Sequence, residues 1–151
     1  MTLYSGLLLL HVFAVVAWVG GMIFALFCLQ PAALAVLSPP QRLQLMHAAL
    51  GRFFKLVGMA IAVLLVSGTG MIVSAGVKQL STTWLWMIGL GVVMMMILVQ
   101  IRVVPFARMG KCLAVQDWPA AAGHIQQIRV MVILNLAIGL TIIAIMKNGS
   151  R

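Results

Sequence analysis

The sequence predicts an all-α membrane protein, a bundle of four antiparallel transmembrane helices. Three observations carry that prediction. Of 151 residues, 64% are hydrophobic and 7% charged, with a mean hydropathy of +1.20, whereas ordinary soluble domains carry about 25% charged residues. The apolar residues fall in four runs, each long enough to cross about 30 Å of hydrocarbon with modest tilt. The prolines and nearly all the charges fall between or at the ends of those runs. High hydrophobicity with low charge also excludes intrinsic disorder.

No charge occurs in residues 1–41, and residues 3–29 form the first run. It lacks a basic leader and is too long for a signal peptide, so it reads as a span. Pro31 and then Ser38-Pro39-Pro40 are expected to end it. Ser38 is a natural N-cap with Pro39 at the first helical position. The helix over 41–55 is amphipathic, with Leu43, Met46, Leu50 and Phe54 on one face and Arg42, Arg52 and Lys55 elsewhere. It is expected at the interface or as an inward extension of the second span, residues 56–77, which Lys78 closes. The third span covers 83–104 and continues as a more polar helix through Arg108 and Lys111. Asp117-Trp118-Pro119 reads as a new cap, opening a helix that carries His124 and Arg129 and crosses the membrane over 130–146. The chain is thus one integral membrane domain. Gly20, Gly21, Gly58, Gly68, Gly70, Gly89, Gly91 and Gly139, with Ser67 and Thr69, are expected to let the helices of this bundle approach closely.

Ten Lys plus Arg face one acid, Asp117, for a net charge of +9. No basic patch is interleaved with aromatics, so the cations point to topology and anionic lipid headgroups, not to nucleic acid. Arg42, Arg52, Lys55, Arg102, Arg108, Lys111 and Arg129 fall on one side; Lys78, Lys147 and Arg151 fall on the other. The positive-inside rule puts the first group in the cytoplasm and both termini outside. With no carboxylate in a span, the usual relay of proton-coupled pumps is missing. Cys28 and Cys112 lack metal-binding spacing and read as free thiols.

An ionisable residue inside a span is a functional site by default. His11 lies about 12 Å inside the first span at 1.5 Å per residue. Trp18 and Met22 follow at i+7 and i+11, on the same face. Met71 and Thr69 on the second span and Met87 on the third share its depth, with Met94 one heptad deeper; Asn135 lies nearer the midplane. Imidazole with thioethers suits Cu(I); the same histidine could instead be the axial ligand of haem b. His47 and His124 belong to the basic side, roughly 27 Å from His11 along the helix, so one ion cannot take both His11 and His47. They are either interfacial side chains or a second metal site. Arg102 and Arg129, at the inner span ends, either snorkel or hold a propionate or phosphate. Nucleophile motifs, phosphate loops, zinc signatures and dinucleotide fingerprints are missing, so a non-enzymatic role is favoured and any catalysis would belong to a bound cofactor.

The first span, Leu9-Leu10-His11-Val12-Phe13-Ala14-Val15-Val16-Ala17-Trp18-Val19-Gly20-Gly21, resembles the LH-x6-W-x-GG opening helix of the CopD-like superfamily. That group includes copper-resistance protein D membrane domains and small four-helix relatives. Pro39-Pro40-Gln41-Arg42-Leu43 to Arg52-Phe53-Phe54, and Ile128-Arg129 to Asn135-Leu136-Ala137-Ile138-Gly139-Leu140, are similar to stand-alone CopD family proteins. The resemblance implies an inner-membrane protein of copper handling, with His11 as the residue to carry over, and an oligomer as the means for four spans to complete a path. A cousin group, the HemJ-type membrane protoporphyrinogen oxidases, shares the His-Trp-Gly opening and binds haem b through that histidine and a lysine in a WLHAK segment. The matching segment here is Trp84-Leu85-Trp86-Met87-Ile88, with Ile88 at the lysine position. Three readings follow: a copper-binding or copper-passing protein, a haem b membrane oxidoreductase with His11 as axial ligand, and a structural or assembly subunit of a larger complex.

Overall fold

The computed structural model describes residues 2–76 and 81–149, with side chains through Lys147. Val77 and Lys78, the expected end of the second span, and Arg151, used in the charge count, lie outside the described residues. Every element within them is helical. Four rods are long and apolar enough to cross a membrane: α1 Leu3–Val36, α2 Pro39–Ala75, α3 Thr82–Ala114 and α4, which runs over Trp118–Gly149. α1 packs chiefly along α2 and α3 along α4, while α4 also touches α1 and α2.

Pro31 does not end α1. The helix opens into a π turn over Ala25–Leu29, and Gln30 N–H bonds back to the Ala25 carbonyl, five residues away. That wider turn leaves room for the Pro31 ring and needs no N–H from it, so helix resumes over Gln30–Val36. A second π turn, Arg102–Phe106, contains Pro105 itself, and α3 likewise continues past its proline. The amphipathic segment 41–55 is likewise continuous with the second span.

The two expected starts are present. Gln41 Oε1 accepts from the Ser38 backbone N–H at 3.3 Å and from its hydroxyl at 2.9 Å, and Pro39 opens α2. Asp117 Oδ1 accepts from the Ala120 N–H at 3.1 Å, capping α4. Replacing Asp117 by Ala should cost roughly 0.5–2 kcal/mol of helix stability, read as a lower thermal midpoint in detergent.

At 1.5 Å per residue, rods of 34, 37 and 33 residues measure about 50–55 Å, well beyond the roughly 30 Å hydrocarbon layer. The excess carries the cationic residues. Packing is tightest toward that end, where Val57, Ile101, Met109, Ala121 and Ile128 are fully buried. Toward the His11 end it thins: no residue of α3 before Met94 is buried. α3 is therefore packed more loosely toward the His11 end than toward the basic end.

The glycines divide in two. A Cβ on Gly21 would lie 2.5 Å from the Phe53 ring, on Gly70 2.9 Å from Leu7, and on Gly139 3.2 Å from both Met94 and Val19. These permit close approach, as expected. Among the described residues, a Cβ on Gly20, Gly58, Gly89 or Gly91 would meet nothing within 4 Å, so the expected close-packing role fails for them, and Gly91 instead borders a cavity.

Candidate metal-binding cavity

His11 is half-buried on α1, opposite Ser67 on α2, which is 1% exposed. Ser67 Oγ donates to the Val63 carbonyl at 2.6 Å, and His11 Nδ1 lies 3.0 Å from the same oxygen. A serine hydroxyl has one proton. Given to Val63, it leaves Oγ an acceptor, so His11 Nδ1 carries the hydrogen and Nε2 keeps its lone pair. The serine–carbonyl bond thereby sets the imidazole tautomer, as partners of the second ring nitrogen do at metal sites.

His11 lines a cavity of about 210 Å³. Trp18, Thr69, Met87, Met94 and Met95 line it too, with apolar side chains and Gly68, Gly91 and Gly139 making up the rest. The cavity falls in the loosely packed part of the bundle. Of the expected ligands it gathers His11 and Met87, and adds Met94. Met71, although 4% exposed, is not among its walls. The Trp18 indole N–H is buried without a hydrogen-bond partner among the described residues. Asn135 joins α4 to α1 through Nδ2 and Met22 Sδ at 3.9 Å, and its Oδ1 is also unpartnered.

Ser67 is the residue that sequence reasoning missed. It stood among Gly68, Thr69 and Gly70 and was assigned to close packing with them. The available signal was a hydroxyl in an apolar run at the depth of a lone histidine.

The basic end is organised differently. His47 stacks on Phe106 with centroids 4.4 Å apart and planes 7° apart. Phe106 meets Phe54 edge-on at 5.0 Å, and the Arg102 guanidinium sits 5.7 Å above the Phe54 ring. Arg102 and His47 thus belong to one aromatic stack around the second π turn. Arg102 stands about 10 Å beyond Met95 along α3, and Arg129 about 15 Å from Gly139 along α4, and neither is among the walls of the His11 cavity. His124 is half-buried on α4, and no hydrogen bond or ring contact joins it to His47 among the described residues. Nor do three His, Cys, Asp or Glu side chains converge anywhere among them. Cys28 and Cys112 are free.

A protein-family model described as Copper resistance protein D matches residues 47–147, from the inner part of α2 to the end of α4. No curated protein matches significantly, and neither does any solved structure. The matched stretch contains Ser67, Met87 and Met94, while His11 and Trp18 precede it.

Proposed function

The chain belongs to the copper resistance protein D family, and on that premise we propose that this multi-pass membrane protein binds Cu(I) in the His11 cavity as cargo. The observation that carries the reading is the Ser67-held imidazole, whose free Nε2 belongs to a residue lining a cavity with Met87 and Met94. Neutral imidazole and thioether sulfur are the soft donors that select Cu(I) over harder ions. Neither needs deprotonation, and neither neutralises the ion, so the site favours a monovalent cation over a divalent one.

Met87 and Met94 lie seven residues apart, two turns of one helix, and offer a step along α3 for an ion changing ligands. The looser packing of α3 before Met94 favours entry from the His11 end. The charge distribution supports placing that end outside and the cationic ends in the cytoplasm. Asp117 is the sole acid, so any flux runs by ligand exchange down a gradient with no carboxylate relay. Ligand pockets for drug-sized molecules run to about 300–1,000 Å³, and a cavity of about 210 Å³ suits an ion better than a macrocycle such as haem.

The test is an absorption spectrum of detergent-purified protein followed by Cu(I) titration against a competing chelator. The expected result is a featureless visible region and one tightly held Cu(I) per chain. A Soret band in protein from haem-replete cells would overturn the copper reading in favour of the haem one. Failure to retain Cu(I) without any haem would leave the structural-subunit role.

A further inference from the structure

We propose that the groove between the cytoplasmic-side ends of α1, α2 and α4 is a binding site for an anionic phospholipid whose headgroup carries a hydroxyl. The groove consists of two adjoining cavities of about 660 Å³ and 260 Å³ that share Leu26, Gln30, Met46, Ile125 and Arg129. Their chemistry differs along the length. Phe24, Leu56 and Val132 wall the larger cavity, which also reaches Arg52. Arg42 and Gln126 stand at the smaller one. Arg42 edges the smaller cavity, Arg52 the larger and Arg129 both, and an apolar trough edged by guanidiniums has the layout of a phospholipid site, acyl chain against the apolar walls and phosphate against the arginines.

Charge complementarity commits the occupant to an anion. The only acid of the chain is Asp117, and its carboxylate caps α4 at Ala120. No other acidic side chain is available to neutralise Arg42, Arg52 and Arg129. Guanidinium forks match phosphate oxygens in bidentate geometry, and basic pockets between transmembrane helices are the places where anionic headgroups settle. Gln30 supplies the second element of recognition. Its Oε1 is buried without a hydrogen-bond partner among the described residues, and the residue lines both cavities. An unpaired buried acceptor calls for a donor, which a glycerol headgroup hydroxyl provides and a choline headgroup does not. The inference is independent of copper: it uses no residue of the His11 cavity.

The experiment is native mass spectrometry of the full chain in detergent with equimolar phosphatidylglycerol and phosphatidylcholine. The wild type should retain phosphatidylglycerol at least about tenfold in preference, and R42A/R52A/R129A should lose that preference. Arg108→Ala, which removes one cation outside the groove as Arg129→Gln removes one within it, should keep it. Should the triple variant fail to fold, Arg129→Gln alone must reduce the preference several-fold. Equal retention of the two lipids, a preference that survives in the arginine variants, or one lost equally in Arg108→Ala would overturn the proposal. Displacement of the lipid by glycerol phosphate at similar concentration would also overturn it, by showing a site for a free phosphate ester.

Discussion

Replacing His11 by Ala should lower Cu(I) affinity by more than about 100-fold, and replacing Ser67 by Ala by roughly 10- to 100-fold, the usual cost of removing a partner that orients a ligating histidine. The two effects have different origins. Without His11 the cavity keeps only thioethers. Without Ser67 the imidazole remains, but the Nδ1 hydrogen has lost its acceptor at 3.0 Å and the ring is free to turn or change tautomer. Ser67→Thr keeps the hydroxyl and should restore most of the affinity if the added methyl is accommodated. A chelator-competition titration of the three variants, with thermal midpoints recorded alongside, reads this directly. An unchanged affinity in His11→Ala would sink the proposed site, and an unchanged affinity in Ser67→Ala would sink the tautomer argument while sparing the histidine.

Two adjacent glycines should respond oppositely to the same substitution. Leu at Gly21 must push into the Phe53 ring, which a Cβ alone would approach to 2.5 Å. A Cβ at Gly20 would meet nothing within 4 Å, and the position is exposed, so a leucine there has open space to enter. Overpacking of this kind costs about 1–3 kcal/mol, while filling an open glycine in a helix is neutral or mildly favourable. Gly21→Leu should therefore lower the detergent thermal midpoint by several degrees and Gly20→Leu should not. Equal responses would mean that the α1–α2 contact does not depend on Gly21.

The four helices were legible because lipid and water sort residues along the chain: apolar runs must lie in one and charges in the other. Ser38 and Asp117 marked two starts because their short polar side chains can meet backbone N–H groups that the first turn leaves unpaired. The continuation through Pro31 was not legible, since proline's usual effect is to end a helix, and only the π turn before it removes the conflict. At the site, depth was legible and azimuth was not. Counting residues placed Met71 and Met87 level with His11, but which side of α2 and α3 faced the cavity depended on how those rods rotate against their neighbours. That rotation brought Met94 in and left Met71 out. Gly20 and Gly21 illustrate the same limit: identical residues, one step and about 100° apart on the helix, with opposite surroundings.

The π turns at Ala25–Leu29 and Arg102–Phe106 have an evolutionary consequence. A π turn is one residue wider than an α turn, and in form it is what a helix becomes when it absorbs a single-residue insertion without breaking. Each rod is in effect two phases of one helix spliced at the turn. On α1, residues up to Val19 line the His11 cavity and residues from Gly21 onward line the arginine-edged groove, so each phase can accept substitutions for its own surroundings. Deleting one residue at the splice would leave a helix long enough to span the membrane, yet would swing Gln30 about 100° around the axis, out of the groove it lines. The chain's tolerance of length change is therefore concentrated at these two turns, and so is its ability to alter the relative facing of its two ends.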